Sequence, residues 1–330
     1  MSYVPTFLRS YVPTFLRSYV PTFLRSYVPI PLFFCFDYLL FYRQNYDENI
    51  NDFRHTNRQL YEVVSYPNIS CNKNTHLLVI VISSPSALYE RNVYRETVLS
   101  PVISGALPHV KYAFLLGRSA EPATHYLMDL EHTLYSDIIV GNFVDSYENL
   151  VLKSLFMLHW ASKYCRQARF IYKLDNDVYA DMAAISRYLK TSKVEKHQII
   201  GSVFDKVRPI YSRRSKWYVS SYRNSTFPRY VSGTSYIMTS DLLTPTFEAA
   251  MNTSLLRLED VFITGISTGR TGLDVKYRNV EKFRYYQKPH QKLEDMNLMN
   301  VWTLHSLNSS QLQYIWHRHQ LQHSKLSKSH

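Results

Sequence analysis

The chain has 330 residues, of which 45% are hydrophobic, 15% aromatic and 19% charged. That is enough apolar material for one large core or two small ones, and too little charge for a disordered chain. The formal net charge is +12; this fits nucleic acid, membrane surfaces or anionic small molecules, but no RNP, zinc-finger or helix-turn-helix signature accompanies it, so nucleic acid is set aside.

In chain order, the octad SYVPTFLR occupies 2–9, 10–17 and 18–25 and decays into SYVPIPLF at 26–33. Its prolines forbid a continuous helix, and its copies are too short for a solenoid. Residues 1–26 are therefore read as a disordered arm, whose Arg9, Arg17 and Arg25 carry part of the charge excess. Residues 27–42 are the one membrane candidate. A spanning helix needs about 20 apolar residues; this run is shorter and contains Asp37 and two prolines. Upstream arginines would hold the N-terminus in the cytosol. A type II signal anchor and an interfacial or core segment both stay open. Residues 43–74 are polar and read as a stem, and 321–330, with Lys325 and Lys328, as a polar tail.

From Thr75 strands and helices alternate. His76–Ser83 is a continuous apolar run, the pattern of a strand buried on both faces. Glu90–Leu99 reads as a helix stopping before Pro101, Tyr112–Leu116 as a strand ended by Gly117, and Asp137–Val140 as a short third strand. Tyr147–Tyr164 is the clearest helix, with Val151, Leu155, Leu158 and Ser162 on one stripe. Strand Arg169–Leu174, helix Met182–Leu189 and strand Gln198–Phe204 follow. The order predicts an α/β domain with a mostly parallel sheet. Glycine numbers only 8, and neither GxGxxG nor GxxxxGK[ST] occurs, which argues against dinucleotide and P-loop folds. Cys35, Cys71 and Cys165 form no CxxC pair, which argues against structural zinc; a Cys71–Cys165 disulfide and two buried thiols are both open. N-x-[ST] sequons begin at Asn68, Asn224, Asn252 and Asn308 and favour a secretory location.

Chemistry concentrates in Lys173-Leu174-Asp175-Asn176-Asp177-Val178-Tyr179, which sets two carboxylates just past an apolar strand. Ligands of open α/β sheets bind at the carboxyl ends of strands. Paired carboxylates there suit Mg²⁺ or Mn²⁺. An Asp-rich turn after a strand is the plainer alternative. A second acidic cluster, Glu259-Asp260, precedes Gly265, and Gly233 lies between the two in Phe227–Tyr236, a strand-like stretch where backbone could approach a ligand closely. Asp145–Leu150 leads into the long helix carrying Lys153, which either neutralises an anion or lies on a solvated face.

In this order the blocks resemble the β-1,3-galactosyltransferase and N-acetylglucosaminyltransferase family (glycosyltransferase family 31). The resemblance rests on Arg91, Arg95 and Thr97 of an R-x3-R-x-T block, Phe114–Gly117, Asp145–Lys153, Lys173–Tyr179, Phe227–Gly233, Glu259–Val261, and His305 ahead of Ile315-Trp316. It implies a GT-A-like, Rossmann-like fold in a single catalytic domain, 75–320. It also implies inverting transfer from a UDP-sugar to a glycan hydroxyl, on glycoprotein or glycolipid, with a β-1,3 linkage. A Golgi membrane enzyme with a lumenal catalytic domain follows; a homodimer is left open. By the same resemblance Asp177 and His305, with Asp175, hold Mn²⁺ or Mg²⁺. Asp260 is the general base, and Arg91, Arg95, Asp145, Lys153, Asp175 and Gly233 shape the UDP-sugar site. Glu259 is expected to point away from the site. His290 competes with His305 for the ligand role. Departures are Asn176 in the middle of the acidic triplet, Val98 in place of Trp, and Thr234-Ser235 in place of a glycine-richer pair; they leave the donor sugar open. Two other readings are a catalytically inactive relative that binds UDP or glycan, and a metal-dependent phosphoryl-transfer protein, which needs a third clustered acid.

Overall fold

A computed structural model describes residues 62–147, 149–212, 214–215, 217–219, 222–284 and 293–327. The octad repeat, the 27–42 segment, most of the stem, Cys35 and His290 lie outside the described residues. Among the described residues no helix is long and apolar enough to cross a membrane.

The central sheet has eight strands in the order β1-β4-β3-β2-β5-β8-β7-β9. They are β1 (Val63–Ser65), β2 (Leu77–Ile82), β3 (Val110–Arg118), β4 (Ile138–Val144), β5 (Phe170–Asp175), β7 (Gln198–Phe204), β8 (Tyr230–Thr239) and β9 (Lys276–Asn279). Strands β4, β3, β2 and β5 run parallel, as do β7 and β9. Strand β8 is antiparallel to both of its neighbours, β5 and β7, and β1 is antiparallel to β4. The sheet is thus mostly parallel with flanking helices, the expected GT-A-like α/β class. All six residues of β2 are buried, which is why its sequence does not alternate.

The helices are α1 (Leu88–Glu96), α2 (Ser100–Ile103), α3 (Pro122–Tyr135), α4 (Leu150–Tyr164), α5 (Met182–Thr191), α6 (Leu243–Met251) and α7 (Ser309–Ser327), with a π-helical segment at Val261–Ser267. Helix α1 stops at Glu96, before Pro101 as read from the sequence, and Pro101 occupies the first turn of the separate α2, where a missing N–H is harmless. Gly117 does not end its strand either; β3 runs through it, and a Cβ there would stand 2.6 Å from the Phe143 ring. Helix α4 buries nearly its whole circumference rather than one stripe, because α6 and the π-helical segment cover its other side. Helix α3 has no counterpart among the elements read from the sequence; Tyr126, Leu127, Leu130 and Leu134 are all exposed on it, so its pattern signals no buried stripe.

Two features lock the ends of this frame. Cys71 and Cys165 form a disulfide across 94 residues, tying the segment before β2 to the end of α4. Closing a loop of that length restricts the unfolded chain by about 4–5 kcal/mol in the chain-entropy picture. A small second sheet orders β10 (Phe283–Arg284), β11 (Thr303–Leu304) and β6 (Tyr179–Ala180) side by side. Its β11–β6 pairing sets Leu304 opposite Tyr179, bringing the chain near 305 against the turn after β5.

Candidate functional site

The carboxyl ends of β2, β3 and β5 meet the start of β8, and the residues singled out from the sequence gather there. In the sheet register Ile82 lies beside Asp175. The Lys153 ammonium, buried on the first turns of α4, donates to the Ser83 carbonyl at 2.9 Å and to Asp145 Oδ1 at 2.8 Å. Asp145 Oδ2 in turn accepts from the Gly117 N–H at 2.7 Å. Burial pulls the Lys153 ammonium below its usual value, with Asp145 opposing. Arg91, fully buried, grips Glu131 of α3 through Nε at 2.9 and 3.0 Å and also donates to Ser83 Oγ and to the Ser84 and Pro85 carbonyls. It holds the turn after β2 from beneath. Asn176, the departure in the triplet, uses the amide that an Asp would lack to donate to Ser83 Oγ at 3.3 Å.

Arg95 goes elsewhere. Its guanidinium binds Glu131 and both oxygens of Asp137 at 2.7–2.8 Å and lies 3.8 Å from the centre of the Tyr135 ring. Asp137 precedes β4, so Arg95 serves the amino-terminal end of the sheet. The structure does not bring it to Asp175.

Asp175, Asp177 and His305 do converge: one ligand atom from each lies within 4.8 Å of the other two. His305 Nε2 is 3.2 Å from Asp177 Oδ2, and its Nδ1 is 3.0 Å from Ser306 Oγ. Ser306 takes the left-handed φ of 66°, a conformation that strains a residue with a Cβ and turns the chain directly after the imidazole. The Leu307 N–H closes onto the Asp177 carbonyl at 3.0 Å. Asp177 Oδ1 is enclosed with no hydrogen-bond partner among the described residues, an arrangement that is costly unless something else meets that oxygen. Two carboxylates and an imidazole around it fit a divalent cation of the Mn²⁺ or Mg²⁺ kind.

Asp260 caps the π-helical segment, accepting from the Val261 N–H at 2.9 Å and the Gly233 N–H at 3.3 Å. Burial raises its carboxyl above the usual range, while these backbone donors pull the other way. Gly233 is the meeting point: a Cβ there would stand 2.8 Å from Glu259 Oε2 and 3.1 Å from the Asp260 Cβ. The close approach is therefore made by the acidic pair itself. Glu259 was expected to point away from the site; it turns inward yet stays against Gly233 beside Asp260, with Ser154 Oγ donating to Oε1 at 2.5 Å and Tyr236 Oη at 3.4 Å, and burial pushes its carboxyl up to about 7.

Lys173 was not among the site residues named from the sequence, yet it joins both acidic places. Its buried ammonium donates to Asp175 Oδ1 at 2.6 Å and to the Gly233 carbonyl, while the Gly233 N–H serves Asp260. Burial lowers its affinity for the proton, but Asp175, Glu259 and Asp260 outweigh that and leave it raised. Burial likewise raises Asp175, with Lys173 opposing. The signal was available: Lys173 and Asp175 are two apart on one strand and therefore share a face.

A family model described as galactosyltransferase matches residues 89–280, more than half of the chain. The chain belongs to the galactosyltransferase family, and its activity is glycosyl transfer. Among known proteins it is 30% identical over 262 residues to mouse (Mus musculus) beta-1,3-galactosyltransferase 1, covering 77% of each chain. It is 32% identical over 217 residues to a lactosylceramide 1,3-N-acetyl-beta-D-glucosaminyltransferase of Xenopus tropicalis, covering 62% of this chain and 57% of that one. Among solved structures, the galactosyltransferase LgtC in complex with donor and acceptor sugar analogues aligns with a TM-score of 0.37 at 9% identity, over 70% of this chain and 87% of that one.

Proposed function

We propose that this chain is an inverting, metal-dependent hexosyltransferase that moves a hexose or N-acetylhexosamine from a UDP-sugar to a glycan hydroxyl, forming a β-1,3 linkage. The observation that carries the reading is the linkage of two acidic places through Lys173 and Gly233: the Asp175–Asp177–His305 cluster and the Asp260 carboxylate. A divalent cation held by those three side chains would offset charge on the departing diphosphate as a Lewis acid. Asp260 takes the proton from the acceptor hydroxyl, a role worth about 10²–10⁴-fold in rate. Inversion needs no protein nucleophile, because the acceptor attacks from the face opposite the UDP. Lys173 keeps Asp175 and the Gly233 backbone at one fixed separation. Asp145, Lys153 and Arg91 hold the turns after β2 and β3 around the nucleotide end of the site. In this reading 75–320 is the catalytic domain, lumenal in the Golgi, and 27–42 is its anchor. The Cys71–Cys165 disulfide supports an oxidising compartment, and the sequon asparagines at 68, 224, 252 and 308 are all exposed.

The test is UDP release from a panel of UDP-sugars and acceptors with Mn²⁺, using the fragment from about residue 60 onward. Release that depends on Mn²⁺ and is lost in both Asp177→Ala and Asp260→Asn supports the reading. Wild-type turnover in either variant overturns the assignment of that residue.

A further inference from the structure

Between β7 and β8 the chain departs from its charge balance. Residues 206–229 contain Lys206, Arg208, Arg213, Arg214, Lys216, Arg223 and Arg229, and no Asp or Glu. Arg208, Arg214, Arg223 and Arg229 are exposed, and among the ion pairs of the described residues only Arg229 finds a carboxylate, Asp205 at 2.8 Å. Tyr211 and Trp217 stand 58% and 52% exposed on the same loop. Exposed cations beside exposed aromatic rings, with no acidic residue in the segment, suit an anionic partner with flat faces.

The loop also walls a cleft of about 650 Å³. Tyr222 and Phe227 line it with aromatic rings, Asn224, Thr226 and Thr253 with amide and hydroxyl groups and Arg270 with a cation, and among the described residues no carboxylate lines it. Arg270 Nη1 donates to Thr253 Oγ1 at 3.1 Å, which fixes that cation at the cleft wall. From outside, Arg257 Nη2 donates to the Tyr218 carbonyl and ties the basic loop to the opposite lip. The cleft shares its two supports with the proposed base. Phe227 and Pro228 lead into β8, which carries Gly233; Gly265 and Ile266 belong to the π-helical segment that Asp260 caps. A Cβ on Gly265 would stand 3.1 Å from the Tyr230 Cβ, so strand and segment lie against each other up to the mouth of the cleft.

We propose that this cleft and the basic loop over it form an extended acceptor subsite for an acidic glycan, one carrying sulfate or carboxylate groups. The inference rests on the hexosyltransferase reading and names the acceptor class of that same site. Hydroxyls and amides beside aromatic faces match the two sides of a pyranose, and the cations match substituents on it. An anionic lipid surface would suit the charge, but a concave cleft with a polar lining gives a flat bilayer nothing to enter.

The experiment compares a sulfated N-acetyllactosamine oligosaccharide with its unsulfated parent, in direct binding titrations and in transfer assays, at low and high salt. The sulfated compound binds about tenfold or more tightly at low salt, the advantage shrinks as salt screens it, and the double reversal Arg223→Glu/Arg270→Glu removes it. Arg223→Gln/Arg270→Gln loses part of it, and thermal melting verifies that each variant is folded. Equal binding of the two oligosaccharides by the wild type overturns the proposal, as does an advantage untouched by both double variants. Vesicles containing phosphatidylserine are the competitor: vesicle binding that the reversal abolishes, without any oligosaccharide preference, also overturns it in favour of a membrane surface. If the protein turns over no UDP-sugar, the hexosyltransferase reading fails, and the binding titrations still decide the acidic-glycan reading.

Discussion

Two clusters of charge lie against the parallel half of the sheet, and they are built on opposite terms. Around Arg91, Glu131, Arg95 and Asp137 every charge is answered: the arginines fork onto carboxylates at 2.5–3.0 Å, and all four residues are buried. Around Asp175, Asp177, Glu259 and Asp260 four carboxylates gather; Lys173 contacts Asp175 and acts on Glu259 and Asp260 through space, and Asp177 Oδ1 has no hydrogen-bond partner among the described residues. Asp175, Glu259 and Asp260 are all raised by burial. The first cluster is neutral and closed, which makes it a brace. The second has an excess of negative charge and an open oxygen, which leaves it ready for a cation and a proton.

The largest expected effect separates base from brace. Asp260→Asn keeps the size of the cap and removes the basic oxygen, so kcat falls about 10²–10⁴-fold with melting nearly unchanged. A loss of stability as large as the loss of rate would place Asp260 in the brace instead. Arg91→Ala does the reverse. It strands Glu131, whose side chain is 1% exposed, without one of its two arginines, and removing one partner of a buried pair costs about 3–5 kcal/mol. Urea unfolding measures it, and a change under 1 kcal/mol by the same scale would show the pair to be dispensable. Asp177→Ala comes next. It deletes the enclosed oxygen and the contact to His305, and apparent Mn²⁺ affinity drops more than about 100-fold, since even outer partners of metal ligands are worth 10–100-fold. Calorimetric titration of Mn²⁺ reads this without turnover, and wild-type affinity would dismiss the three-residue cluster as a cation site.

The brace and the reactive edge were unequally legible in the sequence. Strands β2, β5 and β7 announce themselves as apolar runs, and the Asp175–Asp177 turn follows from its place after one of them. Placing His305 beside that turn needed the family pattern, because the contact is made by the β6–β11 pairing across more than a hundred residues. Glu131 was invisible. It sits on a helix whose exposed leucines hide the period, and its partners Arg91 and Arg95 lie about forty residues upstream. Arg95 shows how spacing alone misleads. Four residues after Arg91 it shares the same helix face, yet the helix carries one guanidinium toward the turn after β2 and the other toward the opposite end of β4. Lys173 could have been found from strand alternation, but its bond to the Gly233 carbonyl depends on β8 running antiparallel, which the sequence does not declare.

The smallest effect probes the boundary between the two clusters. Glu259 is buried like the brace but carries a carboxyl pushed up to about 7, above its ordinary 4.5. Between those values the native protein keeps a proton that the unfolded chain has already released. Stability contributed by this group therefore falls as pH rises through the window, and the penalty is complete above about 7. Lys173, raised above its ordinary 10.5, acts only at higher pH. Asp175 and Asp260 remain in both proteins of a comparison with Glu259→Gln, and because each repels Glu259, removing its charge eases their ionisation and adds to the difference in the same direction. The Gln variant keeps an acceptor oxygen for Ser154 and has no proton to lose. Its stability relative to wild type should therefore rise from pH 5 to pH 8, measured by urea midpoints at each end. A flat difference would mean that Lys173 holds Glu259 ionised throughout, making the residue part of the brace rather than a neutral wall behind Asp260.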